Sequence, residues 1–144
     1  MQPKKDKSYI YGVIWNEGIT VLNNNDTITF NLPAKARILN GVSAVIITDD
    51  TQIFTDNVYV KIRVNNEILI DDMNLNYLAI NQNHFSGFGA LTYPLNIPSN
   101  DRQPYHPTPR PLSGSDEVVI ELNQLQTLGA MGKLFFHFHY QPIQ

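Results

Sequence analysis

The chain contains no cysteine, which excludes disulfides and thiolate metal sites and leaves core packing or association to supply stability. Charge is sparse as well. With only 16% Asp, Glu, Lys and Arg and a net charge of −3, the sequence lacks the clustered cations that sequence-independent nucleic-acid binding uses. Its one basic cluster is Lys4, Lys5 and Lys7. No apolar run reaches the roughly 18 residues of a membrane span. The basic start MQPKKDK leads into SYIYGVIW, which is interrupted by tyrosines and glycine and is followed by Asn16-Glu17-Gly18 instead of a small-residue cleavage site, so no secretory leader is expected.

What is present suits strands and turns. Asn, Thr, Ile and Val are abundant, and 144 residues is near the modal size of one domain. The expected organisation is a flexible basic arm over 1–7 and a single antiparallel β-sandwich, jelly-roll-like, over 8–144. Asn57–Ile70 shows the pattern most clearly: Val58, Val60, Ile62 and Val64 alternate with Tyr59, Lys61 and Arg63 ahead of Asn65-Asn66. That is a β-hairpin in which the asparagines take the positive φ of a two-residue primed turn.

Further strands are expected over Ser8–Trp15, Ile19–Leu22, Thr27–Leu32, Glu117–Leu122 and Lys133–Tyr140. Glu17-Gly18 marks a turn, and Ala36–Thr48 reads as strand broken by a turn or bulge at Asn40-Gly41. A short helical turn or coil is expected over 71–83, a glycine-relaxed segment over His84–Leu91, and one helical turn over Asn123–Leu128. Between Tyr93 and Leu112 lie Pro94, Pro98, Pro104, Pro107, Pro109 and Pro111, predicting an extended, partly polyproline excursion across the surface that contacts a partner.

The candidate chemistry is thin. His137 and His139 project from one face of the last strand about 7 Å apart, a spacing a metal can share, but the sequence does not specify a third ligand, for which His84, His106 or an acidic loop are the candidates. With Leu134, Phe136, Phe138 and Tyr140 turned to the core, both histidines are expected outside or at an interface. Asp72, Asn74 and Asn76 match the start of a calcium loop, yet Tyr77 stands where glycine is needed and Asn83 where the bidentate glutamate belongs. Asp49, Asp50 and Asp56 read as a solvated acidic turn. Gly87-Phe88-Gly89 is no dinucleotide fingerprint, and Ser113-Gly114-Ser115 lacks the strand-to-helix setting of a nucleophile. Asn25-Asp26-Thr27 is a glycosylation sequon read here as a turn. Tyr9, Tyr11 and Trp15 alternate with the first strand's aliphatics, as core residues or as a sugar-stacking strip. No catalytic residue, cofactor site or metal site is assigned.

Strands from end to end, no substantial helix, no cysteine, a basic N-terminal arm and a long proline-rich segment together resemble small virion proteins. These are the single jelly-roll or related β-sandwich capsid and penton proteins of tailless bacteriophages, and small head-decoration proteins. The resemblance implies a non-enzymatic structural role in the virion after synthesis in the host cytoplasm, with homo-oligomer and capsid-protein contacts and no specific nucleic acid. The expected interface residues are Lys4, Lys5, Tyr105, His106, Arg110 and Leu112. The alternative is a carbohydrate-binding or adhesion module, in which exposed aromatics stack on sugar rings and Asn and Asp bond hydroxyls.

Overall fold

A computed structural model describes residues 7–19, 26–47, 59–79, 93–99, 104–123 and 132–142. These form β1 (Tyr9–Ile19), β2 (Asp26–Asn31), β3 (Ala36–Ile47), β4 (Tyr59–Val64), β5 (Glu67–Asn74), β6 (Leu95–Pro98), β7 (His106–Pro111), β8 (Glu117–Asn123) and β9 (Gly132–Pro142), with a 3-10 turn at Leu75–Tyr77. Two antiparallel sheets result, β6-β1-β9-β3-β7 and β2-β8-β4-β5, so the fold is the expected all-β sandwich. Its pairings nest: β1 with β9, β2 with β8, β3 with β7 and β4 with β5 are the rungs of one long hairpin. Rolling that hairpin brings β9 against β3 and β8 against β4, the double Greek-key winding of a jelly roll. β6 is an addition, carried on the connection from β5 to β7 and laid along the free side of β1.

Local chemistry explains the winding's corners. Asn65 and Asn66 take φ of 51° and 68°, as the β4–β5 turn requires, and Val60, Ile62 and Val64 are fully buried while Tyr59 and Arg63 are exposed. The Asn65 side chain does more than turn: its Nδ2 donates to Asp116 Oδ2 at 2.6 Å and its Oδ1 accepts from the Glu117 amide at 3.0 Å. The buried Asp116 carboxylate also accepts from the amides of Ser113 and Gly114 at 2.9 and 2.7 Å. Ser113-Gly114-Ser115 is therefore a turn organised by a carboxylate that ties β7 and β8 to the hairpin tip.

Asn40 is a bulge: the β3 ladders to both β7 and β9 shift between Leu39 and Gly41, and one bent strand runs through. The turn expected at Glu17-Gly18 is replaced by continuous strand, since β1 extends to Ile19 and absorbs Gly18 as a register shift against β9. Of the short helical turn or coil expected over 71–83, the described part is strand as far as Asn74, where β5 ends, followed by a 3-10 turn at Leu75–Tyr77.

Between the sheets, Leu134, Phe136, Phe138 and Tyr140 of β9 are fully buried against the hairpin and β8 aliphatics. Each such side chain contributes about 1.5–3 kcal/mol of burial. Phe30 meets Phe138 edge to face at 5.4 Å, Tyr9 stacks on Tyr140 at 5.7 Å, and Tyr11 packs on Phe30 at 6.0 Å. Tyr9 and Tyr11 thus pack, partly buried, against the core. Lys4 and Lys5 of the arm, the strand at Ile19–Leu22 beyond Ile19, Asn25, Asp49–Asp56, Val58, the segment His84–Leu91, the helical turn over 124–128 and the Trp15 side chain lie outside the described residues.

The described parts of the proline-rich segment are edge strands, β6 on one side of the five-stranded sheet and β7 on the other. The Leu112 amide donates to Arg37 O and the Ser99 amide to Ser8 O. Because alternate residues turn their amides to opposite sides of a strand, His106, Thr108 and Arg110 bond inward to β3, while Pro107, Pro109 and Pro111 take the outward positions. By the same alternation Asn96 and Pro98 face outward on β6. Prolines sit where no ladder donor is needed, which is the placement their missing N–H permits.

Candidate functional site

The largest departure from expectation lies on the outer face of β9. His137 and His139 do leave the core side, but they are 0% and 2% exposed. Two glycines explain it. The register sets Gly12 of β1 beside His137 and Gly41 of β3 beside His139, and in each case a tyrosine occupies the space that a side chain would have filled. A Cβ on Gly12 would lie 2.7 Å from Tyr93 Cε1, and one on Gly41 would overlap the Tyr105 ring.

Tyr93 lies nearly parallel to His137, with centroids 5.9 Å apart and planes 11° apart, and its hydroxyl shares a 2.8 Å hydrogen bond with His137 Nε2. Tyr105 covers His139 at 4.5 Å, and Ser43 Oγ lies 3.2 Å from His139 Nε2. An aromatic ring laid over a glycine in a sheet restores the packing that the glycine forgoes. Beside them Ile10, Val45 and Phe135 form a second buried apolar cluster, joined by Tyr93 at 4.6 Å from Phe135. The proline-rich segment is thereby fastened to the sheet at Tyr93, where it begins, and at Tyr105.

Burial sets the electrostatics here. Desolvation, with the neighbouring His139 adding to it, pushes His137 down to about 3, and desolvation pushes His139 down to about 4. Burial also raises the Tyr93 hydroxyl well above its ordinary value. Both imidazoles are neutral at pH 7, and groups this weakly basic are poorly matched to proton transfer near neutrality. Among the described residues, no group of three His, Asp or Glu is placed to hold a metal ion. The pair acts as packing and hydrogen-bonding material.

A second feature sits where β5 and β7 face each other across the open side of the sandwich. Val60 pairs with Met73 and Ile62 with Ile70, so Lys61 alone opposes Asp71 and Asp72, and Asp72 takes a φ of 47°. This bulge throws both carboxylates outward, 3.8 and 4.0 Å from Lys61 Nζ. The following 3-10 turn is anchored by the Ala44 amide donating to Leu78 O at 2.9 Å, next to the end of β7. The result is a hollow of about 610 Å³ bordered by Tyr59, Asp71, Asp72, Asn74, Tyr77 and His106. Tyr77 is 75% exposed at its rim. Asp72 thus sits in a bulge of β5 and Asn74 on the regular strand beyond it, paired with Tyr59, so the two are strand residues and not the start of a calcium loop.

Four of the expected interface residues, Tyr105, His106, Arg110 and Leu112, are among the described ones. Tyr105 is half committed to His139, His106 borders the hollow, and Arg110 Nη2 donates to Glu67 Oε2 at 2.6 Å. Leu112 is 7% exposed within the core. It is a correction to the expected set: past Pro111 the chain turns into the sandwich, and this side chain is spent on packing. Sequence reasoning missed Gly12, Ser43 and Tyr93. An isolated glycine within an aromatic, β-branched strand signals close approach by another group, and Gly12 carried that signal. No protein-family model matches the chain, and no curated protein matches it in sequence.

Proposed function

We propose that this chain is a non-enzymatic structural protein of a virion, a minor capsid, penton or decoration component that acts through subunit contacts and is made in the host cytoplasm. The observation that carries the reading is the jelly-roll winding, β1/β9, β2/β8, β3/β7 and β4/β5 nested and rolled, an architecture used by viral capsid domains. The outer-face clamps support it: Tyr93 and Tyr105 fix the proline-rich segment to the sheet, giving a stiff block that loses little entropy on joining an assembly. Its partners are then further copies of itself and other capsid proteins. Light scattering across a concentration series and antibody labelling of particles from infected cells test the reading. Self-association with labelled particles supports it; a monomer that labels no particle overturns it.

A specific observation favours one other reading. The hollow between β5 and β7 combines the exposed ring of Tyr77 with Tyr59 and with amide and carboxylate groups, the materials with which a carbohydrate-binding module stacks on sugar rings and bonds hydroxyls. A glycan array, with Tyr77→Ala as the comparison, separates the two: saturable glycan binding lost in the variant favours the module.

A further inference from the structure

The four sheet edges are not alike. At β7 the outward positions are Pro107, Pro109 and Pro111, and at the short β6 they are Asn96 and Pro98, so these edges offer an added strand almost no donors. β5 is distorted by two register shifts against β4 and carries Asp71 and Asp72 on its bulge. β2 has none of these protections. Its sequence, Asp26-Thr27-Ile28-Thr29-Phe30-Asn31, has no proline, no lysine and a regular ladder to β8 without a shift. The Leu32 amide donates to Asp116 O at 2.9 Å, which places Ile28 and Phe30 in the inward-bonding positions. By alternation, the amides and carbonyls of Thr27, Thr29 and Asn31 point away from β8. Among the described residues, no strand pairs with that side.

We infer that β2 is the edge through which two copies of this chain join, antiparallel about a twofold axis at Thr29, making the two four-stranded sheets continuous. The segment is self-complementary in this register. Thr29 opposes Thr29 of the second copy, Thr27 opposes Asn31, and about six backbone hydrogen bonds form between outward-facing groups. On the inner face Ile28 meets Phe30 of the other copy. Both are half-buried on the margin of the core, and an aromatic beside a β-branched residue is a favourable cross-strand pair. No charge lies between Thr27 and Asn31, so the twofold brings no like charges together there. A second copy is the occupant because this one segment supplies both halves of the match.

The inference deepens the assembly reading, on which it rests, by naming one contact. Thr29→Pro tests it, since among the described residues that amide faces no partner strand and its removal copies the device of β7; Thr29→Val keeps the amide and is the control. The dimer mass seen by sedimentation for the unaltered protein should weaken at least tenfold in Thr29→Pro and persist in Thr29→Val, with urea unfolding midpoints showing that both variants fold. Hydrogen exchange of the unaltered protein gives a second measure: the amides of Thr27, Thr29 and Asn31 should be protected in concentrated solution and exchange freely on dilution. An oligomer whose mass Thr29→Pro leaves unchanged, or amides that exchange freely throughout, overturns β2 pairing while leaving assembly by another surface standing. A protein monomeric up to about 1 mM overturns β2 pairing too; if it nonetheless labels particles, assembly with other capsid proteins survives, and if it labels none, both readings fall.

Discussion

The two faces of β9 bury their side chains by different means. Toward the opposite sheet, Phe136, Phe138 and Tyr140 are covered as any sandwich core is covered, by aliphatics at period two on facing strands. On the outer face, Phe135, His137 and His139 are buried just as completely, but by rings delivered from Tyr93 and Tyr105 into the spaces over Gly12 and Gly41. The first kind of burial follows from alternation along the strand. The second depends on glycines in neighbouring strands and tyrosines remote in sequence, so it leaves no periodic trace. An apolar/polar alternation in a strand therefore identifies which residues share a face without telling which face meets water.

Substitution on the inner face should have the largest effect. Phe138→Ala removes a fully buried ring that packs edge to face on Phe30 and should cost about 4 kcal/mol in urea unfolding. If Phe135→Ala on the outer face costs much less than about 3 kcal/mol, the outer cluster is a veneer and the comparison weakens.

Acid should act on the outer face through its two histidines. The unfolded chain binds protons at His137 and His139 near pH 6.5, whereas the folded chain resists until about pH 3 and 4. Proton uptake therefore favours unfolding: the stability is whole above pH 6.5, falls as pH drops below it, and is fully lost near pH 3–4. Between pH 7 and pH 5 the loss should be about 2 kcal/mol per histidine, measured as a falling urea midpoint. His139→Gln should reduce that slope by about half.

Filling one glycine gap probes the clamp directly. Gly12→Ala places a Cβ against Tyr93 and His137 and should destabilise by about 2 kcal/mol, with hydrogen exchange rising first in β6. The smallest effect is expected from Tyr105→Ala, about 1 kcal/mol, because that ring is already half exposed. Its sharper signature is the His139 imidazole titrating closer to 6.5 by NMR as water reaches it.

The parts of the fold legible in the sequence were those governed by neighbours along the chain. Asn65-Asn66 announced its turn because only a few residue types tolerate two successive positive φ values. Val60, Ile62 and Val64 declared their face, and Asn40-Gly41 an interruption, turn or bulge, that the ladders resolve as a bulge. Read as a cluster the prolines suggest an extended surface segment but not its pairing: 107, 109 and 111 recur at period two, the one spacing at which prolines can line the outward side of a paired strand. Leu112, placed one step past that run, was assigned to a surface because its inward turn depends on the long-range amide bond to Arg37. The clamp over the histidines needed register between β1, β9 and β3, which no local pattern specifies.

The position of β9 has a consequence for how the protein comes into being. It is the middle strand of its sheet, flanked by β1 and β3, yet it is made after every other described strand, and it pairs Tyr9 with Tyr140. During synthesis the β4–β5 hairpin can close at once, while β1 and β3 wait with both apolar and hydrogen-bonding surfaces unclaimed until the ribosome has released Phe135 through Tyr140. Such non-local closure is slow, and the waiting chain is prone to aggregate. A ribosome stalled short of β9 should hold a nascent chain that is protease-sensitive in β1 and β3, and release of the last strand should convert both to resistance together.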